Sequence, residues 1–446
     1  MSEIAPDRLQ NFARMRDVAR EIFASALKNA SIESAFARDV HCERRVLRIG
    51  DDLHDLDLYH RIFVVSMGKA AHTMAEALAQ QVGSSLEGIV ASPVETTSMV
   101  RGFRYFRGGH PTPTGESIRA ADAILKSLAA LDSNSLVIFM ISGGGSSIVE
   151  KPIGDEISLP DLMATYRALV HSGAPIAEIN AIRKHLSAVK GGRLARAAYP
   201  AQQVSILVSD VPDDTPDALA SGPTMPDSTS VYDCQRIAEK YTLVEQFPDS
   251  VGDIFREHAL EETPKSDDPA FVRARWRTVL SNKVAIDEAA AAASRAGFAV
   301  EIDNSCDDWP YDRAADYLLN RLRELRSKVS RVCLISGGEV TVTVRNGGVG
   351  GRNQQFALAC AEKIADQDVA VLSAGTDGID GNSSAAGAVV DGSSIFRLGG
   401  NAGGLQGVRH ALAGFDAYPL LEALDDVIIT GPTGNNLRDL RLLLAY

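Results

Sequence analysis

Apolar positions recur at helical spacing from residue 7 to 28, through Leu9, Phe12, Met15, Val18, Ile22 and Phe23, which predicts an amphipathic helix at the start of the chain. The pattern then alternates between continuous apolar runs and helical ones. RIFVVSMG (61–68), LEGIVAS (86–92), SLVIFMIS (135–142) and VSILVSD (204–210) read as strands, with AAHTMAEALAQQ and residues 116–131 as helices. Continuous β-branched runs, bounded by Gly turns and followed by helices, indicate parallel strands in βαβ units. From about 247 to 275 the sequence becomes FPDSVGDIFREHALEETPKSDDPA, rich in Asp, Glu and Pro, and a linker or peripheral excursion is expected there. A second α/β region follows. Its strands are predicted at VCLISGG (332–338), VTVTVR (340–345) and VAVLSAG (369–375), and its helices at 284–297, 310–328 and 352–365.

Composition bounds this picture. At 446 residues the chain is too long for one ordinary core, so two α/β domains are expected. A hydrophobic share of 45% and a charged share of 23% are those of a globular protein. With 58 acidic against 45 basic residues the net charge is −13, which argues against nucleic acid or an anionic membrane as the main partner. A small anionic ligand is still compatible, since a few local cations and backbone N–H groups suffice. The five cysteines are dispersed, with no CxxC, and read as reduced thiols. The first residues, MSEIAPDRLQNFARMRD, carry no apolar signal core, and no apolar run reaches membrane-spanning length. A cytoplasmic location is expected.

Glycines and polar residues gather after the strand ends, the edge where open parallel sheets form their ligand crevice. Ser142-Gly143-Gly144-Gly145-Ser146-Ser147 lies between a strand and a helical segment, where backbone N–H groups without Cβ atoms in the way can wrap an anion. A tight connection without a ligand is the plainer reading, but three successive glycines cost chain entropy, which favours the anion site. No Walker pattern and no GxGxxG fingerprint occurs; GVGGRN (348–353) lacks the last Gly. Lys69 follows Gly68 at a strand-to-helix turn and can meet a phosphoryl group, although a lone lysine there is ordinarily a solvated one. Arg183, Lys184 and His185, with Lys190 and Arg193 following, form a basic cluster that on its own reads as a helix face in water. Arg352 and Asn353 sit where a Gly-rich loop becomes a helix, and an arginine there can grip a carboxylate or phosphate with two parallel hydrogen bonds. Asp210 ends a strand, and Asp377 and Asp380 occupy the turn AGTDGIDG. Such carboxylates can hold Mg²⁺ or accept a hydroxyl proton. Turn geometry accounts for Asp380 by itself, whereas for Asp210 and Asp377 both readings stand. His110, in RGGHPTPTGES, is read as a ligand contact against the alternative of a loop histidine.

Eight segments in order resemble the class II glycerate 2-kinases, whose C-terminal part is the MOFRL domain. They are VVSMGKAA (64–71), GGHPTPTGES (108–117), ISGGGSS with KP following (141–152), IRKHLSAVKGGRLA (182–195), SDVPDDTPDALASGPT (209–224), SGGEVTVTVRNGGVGGRNQQFALA (336–359), AGTDGIDG (374–381) and TGPTGNNLRDL (430–440). Together they cover the chain from about residue 10 to its end. The resemblance implies an α/β fold with an N-terminal Rossmann-like domain, expected over 1–265. It also implies a smaller C-terminal MOFRL-type domain over 276–446 and an active site in the cleft between the two. Transfer of the ATP γ-phosphoryl group to the 2-hydroxyl of D-glycerate with Mg²⁺ is implied, with Lys69 and Arg352 matching the family's active-site lysine and arginine.

On this basis Lys69, Arg352 and Asp210 are the catalytic candidates, and Ser142 to Ser147 the ATP-phosphate loop. His110, Arg183, Lys184, His185, Lys190 and Asn353 are the acceptor-acid contacts, with Asp210 and Asp377 for the metal. The chain departs from the family pattern at Asp213, Thr215, Asn382, Ser383, Ser384, Gln355 and Asn435, several in motifs expected to line the cleft. Such changes leave open another short hydroxy or sugar acid as acceptor. An NAD(P)H-dependent hydroxypyruvate reductase and a non-catalytic ligand-binding relative are the remaining alternatives. The sequence does not fix the oligomeric state, with a homo-oligomer compatible.

Overall fold

The computed structural model describes residues 5–83, 86–344, 347–399 and 404–446. The chain forms two compact units, Ala35–Val279 and the pair of segments Met1–Ser34 and Leu280–Tyr446. This division differs from the expected 1–265 and 276–446 in where the leading helix goes. Helix Pro6–Asn29 buries Phe12, Met15, Ala19, Ile22, Phe23 and Ala26, and these pack with Ile286, Cys333, Leu372 and Leu442 of the C-terminal segment. Full burial of a side chain such as Phe12 contributes about 2 kcal/mol, so the stripe commits the first helix to that unit.

The Ala35–Val279 unit opens with a three-stranded antiparallel sheet, Val40–Glu43, Val46–Ile49 and Asp52–Asp55. Its main sheet has six strands in the order Phe103–Arg107, Glu87–Ser92, Arg61–Met67, Ser135–Ser142, Gln202–Val208 and Ala274–Leu280. The pairings among the first five are all parallel. Phe63, Val65, Met67, Val137 and Phe139 pack on one side with Ala120, Ile124 and Leu128 of helix Gly115–Leu128, while the alternate residues Val64, Val90, Ile138 and Met140 are buried as well. Burial of both faces explains why these strands read as unbroken apolar runs. Chain order runs outward in one direction from Arg61–Met67 and in the other from Ser135–Ser142, so the topological switch point falls between these two neighbours.

The second unit's sheet is mixed. Ala299–Ile302 pairs parallel with Val332–Gly338, and all its other pairings are antiparallel. Its centre is Asp439–Ala445, inserted between Val332–Gly338 and Val369–Gly375. The expected strand 340–345 does not form over its described residues. Gly338, at φ +83°, turns the chain away, and only Thr341 is bridged, exchanging hydrogen bonds with Trp309 and Tyr311. Nor are residues 247–275 a linker. Helix Asp249–Arg256 packs Val251, Ile254 and Phe255 into one cluster with Leu162, Tyr166 and Ile182. Among the described residues no helix is long and apolar enough to cross a membrane.

Candidate active site

In the Ala35–Val279 unit the turns after the two switch-point strands lie against each other. Gly68 has φ +119°, and a Cβ there would stand 2.2 Å from Ser142 Oγ, so only glycine lets the first turn approach the second. The Lys69 N–H then donates to the Gly143 carbonyl at 2.9 Å, and the Ala70 N–H to Ser142 Oγ at 3.0 Å. Ser142 is thus a buried brace between the turns rather than a phosphate contact. The next three glycines are each crowded. A Cβ on Gly143 would lie 2.0 Å from Asp210 Oδ2, one on Gly144 within 3.3 Å of both His110 and the Lys69 stem, and one on Gly145 2.9 Å from Ala220. The helical segment after the loop, Gly145–Ile148, has one turn, so the potential available to an anion comes from the loop N–H groups and Lys69 more than from a helix terminus.

Lys69 is exposed and, among the described residues, its ammonium enters no ion pair. His110 Nδ1 lies 3.2 Å from Ser147 Oγ. Burial, and then the Lys69 charge, hold this imidazole below its ordinary pKa. A neutral ring is therefore expected at pH 7. Ser146 Oγ meets Ser221 Oγ at 3.0 Å. Lys69, His110, the loop and Asp210 therefore form one group at the carboxyl edge of the sheet, where such folds bind ligands.

The basic cluster does not join this group as a whole. Lys184 is buried in ion pairs with Asp217 at 3.0 Å and Asp227 at 3.2 Å. His185 is buried with Nδ1 2.8 Å from the Ala181 carbonyl, and burial lowers its pKa. Lys190, fully buried, pairs with Glu150; burial, opposed by that carboxylate, brings its pKa down to about 8. Arg193 is turned to Glu261. These cations hold the core together. Arg183 faces a cavity that it shares with His110 and the loop.

In the other unit, Arg352 begins helix Arg352–Lys363 and is already engaged. Its Nε and Nη2 reach the two oxygens of Asp439 at 2.6 and 3.0 Å, and Nη2 lies 2.9 Å from Glu339. Burial opposes the guanidinium charge, but these carboxylates more than offset it and the pKa is raised. Glu339 is raised in turn, by burial first and then by Asp439. Asn353 is buried, its N–H donating to Asp380 and its Oδ1 accepting from Ser373, so it serves the fold and not a ligand.

Asp380, assigned to turn geometry alone from sequence, is a buried acceptor for the N–H groups of Asn353 and Gln354, and burial lifts its pKa to about 7. Asp377 lines a cavity of about 580 Å³ with Arg352, Asp380 and Asn382, and its Oδ1 accepts the Ile379 N–H at 3.1 Å. The departures from the family pattern are mostly absorbed by the fold. Asn382 staples the Gly-rich loop through Gly350 N–H and the Gly348 carbonyl, Gln355 donates to the Leu412 carbonyl, and Asn435 to the Ala30 carbonyl. Among the described residues no three His, Cys, Asp or Glu are grouped to hold a metal.

A glycine loop and an exposed lysine at a sheet switch point define a class of α/β proteins that bind anionic ligands at the carboxyl edge. Comparison with known proteins makes this specific. Residues 18–256 match the family described as a domain of unknown function (DUF4147), and 332–439 match the MOFRL family. The chain is 35% identical to D-glycerate 2-kinase of Thermotoga maritima, over 85% of this chain and 89% of that protein. It is 32% identical to glycerate 2-kinase of Pyrococcus horikoshii over 97% of each. A relative from Agrobacterium vitis, 34% identical over 97% of this chain and 95% of its own, carries the provisional name hydroxypyruvate reductase. The crystal structure of glycerate kinase from T. maritima superposes with a TM-score of 0.83 at 32% identity, covering 97% of this chain and all of that one. The chain belongs to the glycerate 2-kinase family of DUF4147–MOFRL architecture.

Proposed function

We propose that this chain transfers the γ-phosphoryl group of ATP to the 2-hydroxyl of D-glycerate, giving 2-phosphoglycerate and ADP. The observation that carries the reading is Lys69, an exposed ammonium with no ion pair among the described residues, beside a loop of three glycines at the switch point of a parallel sheet. Phosphoryl transfer needs alignment and charge neutralisation more than covalent help, and a cation outside any ion pair among the described residues, beside loop N–H groups, can supply both. The loop Gly143–Ser147 holds the ATP phosphates, and Lys69 holds the transferring group. Arg352, oriented by Asp439 and Glu339, offers its remaining donors to an anionic group of the reactants.

Mg²⁺ characteristically takes one or two carboxylates and completes its shell with phosphate oxygens and water, so it does not require a three-residue cluster among the described residues. Asp210, with its carboxylate against Gly143 at the loop, fits that donor set, and Asp377 is the second candidate. The bound ion would supply neutralisation of the phosphate oxygens. D-glycerate is preferred to a longer acid because Gln355 and Asn435 are committed to backbone carbonyls within the fold. The test is a coupled ADP-release assay with D-glycerate, ATP and Mg²⁺, with product identified as the 2-phosphate. Turnover that disappears in Lys69→Ala supports the reading. Folded protein that binds ADP yet turns over other hydroxy acids and not D-glycerate overturns the acceptor.

A further inference from the structure

A cavity of about 420 Å³ opens beside the phosphate loop, with Gly144, Ser146 and Ser147 in its wall. The rest of the lining comes largely from helix Leu159–His171, through Met163, Tyr166 and Val170, and from Arg183. It contains two arginines, two histidines and no carboxylate. The guanidinium of Arg183 sits over the Tyr166 ring, 4.2 Å from its centroid. That ring is fixed from behind. The Tyr166 hydroxyl donates to Glu150 at 2.6 Å, and Glu150, fully buried, also accepts from Ser187 Oγ at 2.6 Å and the Lys151 N–H at 2.9 Å while pairing with Lys190. Moving the ring would leave a buried carboxylate short of a partner, which is costly in a low dielectric. The phosphate loop and Lys69 do not need this arrangement; it fixes a surface that faces an open cavity.

Two reactants of the proposed kinase compete for this space, and polarity separates them. A three-carbon hydroxy acid is polar at every carbon and would lose hydration against Met163, Val170 and the Tyr166 ring without recovering it. A purine has apolar faces, stacks on aromatic and guanidinium planes, and attaches through its ribose to the phosphates that the adjoining loop would hold. The volume is within the range of pockets for ligands of nucleoside size.

We propose that this cavity receives the purine nucleoside of the phosphoryl donor, with the Tyr166–Arg183 stack as its platform. The assignment rests on the reading of the chain as an ATP-dependent kinase, and it moves Arg183 from the acceptor acid to the nucleotide. Val170 is 61% exposed, so Val170→Trp fills the cavity without touching the core, and Arg183→Ala removes the guanidinium from the stack. Calorimetry with ADP and with inorganic tripolyphosphate is to be run beside KM determinations for ATP and D-glycerate. Both variants are expected to weaken ADP and raise the KM for ATP about tenfold or more, the equivalent of one lost stacking contact, with tripolyphosphate affinity and the KM for D-glycerate unchanged.

A raised KM for D-glycerate with unchanged ADP affinity would give the cavity to the acceptor acid and overturn the proposal. So would unchanged ADP affinity in both variants, absence of ADP binding by the wild-type protein, or a matching loss of tripolyphosphate binding in Arg183→Ala. If ADP binds, both substitutions weaken it, and no acid is phosphorylated, the nucleoside site stands while the kinase reading falls.

Discussion

Lys69 and Arg352 are the two cations that the family pattern singles out, and their surroundings are opposite. Lys69 stands at a switch point with no ion pair among the described residues, and the groups around it are glycines, a histidine held neutral, loop N–H groups and, across Gly143, the carboxylate of Asp210. Arg352 is bonded to Asp439 and paired with Glu339, with Asp380 buried close by. One half is an unspent charge, the other a charge already balanced. An unspent lysine costs the fold nothing to lose and gives its whole potential to a ligand. A balanced arginine is held in one orientation, at the expense of most of its net charge. The difference predicts that substitutions on the two sides will fail in different ways.

Lys69→Ala is the strongest test of the comparison. Removing a donor aimed at developing charge costs kcat about 10³-fold, with no loss of thermal stability because the ammonium enters no ion pair among the described residues. A variant that melts early would show that Lys69 belongs to the fold after all. Arg352→Lys should fail in both respects. An ammonium cannot reproduce the bidentate bond, so Asp439, which is buried, is left undercompensated beside Glu339, at a stability cost of about 2–3 kcal/mol alongside lost activity. Denaturant unfolding measures the first effect and the ADP-release assay the second. Retained stability with lost activity would place Arg352 in the same category as Lys69 and dissolve the contrast.

What the sequence made legible follows the same division. The parallel strands and the turns that carry the glycine loop, Lys69 and Asp210 were legible, because an apolar run followed by glycine is a local signal. The buried pairs were not. Lys190 meets Glu150 across 40 residues, Lys184 meets Asp227 across 43, and Arg352 meets Asp439 across 87, so each cation looked free in a sequence window. IRKH read as a basic face because its acids arrive from elsewhere in the chain. The central strand Asp439–Ala445 was passed over because Asp439 and Arg441 interrupt its apolar run; both are buried, Asp439 bonded to Arg352 and Arg441 Nη2 donating to the Gly337 carbonyl at 2.5 Å. The converse error was VTVTVR, read as a strand, whose described residues have one bridge and no ladder. Local pattern identifies what the chain holds out to a ligand, and only the fold shows which charges are spent.

A milder perturbation separates the nucleoside platform from its support. Tyr166→Phe keeps the ring and removes the hydroxyl held by Glu150, which retains Ser187, Lys190 and the Lys151 N–H. Loss of one hydrogen bond to a charged group is expected to cost about 1.5–3 kcal/mol of stability, while ATP use persists because the stacking face remains. Abolished ADP binding with an intact fold would mean that the hydroxyl, and not the ring, faces the ligand.

A pH slope among the groups around Arg352 completes the comparison. Asp380 is buried, and its folded pKa of about 7 lies above the ordinary carboxylate value of 3.8, so between these two values the native protein holds a proton that the unfolded chain has released. Its contribution to stability is therefore fully present below the lower value and is lost as pH rises towards the upper one. In Asp380→Asn no such proton is taken up. At pH 4 the neutral carboxyl and the amide offer the Asn353 and Gln354 N–H groups similar acceptors, and the two proteins should melt close together. By pH 8 the wild type should have lost ground relative to the variant, with the change concentrated below pH 7. A melting difference that stays level, or that turns towards the wild type with rising pH, would mean that Arg352 and the two N–H bonds outweigh the burial of Asp380. Asp380 would then be a charge as fully balanced as Arg352 itself.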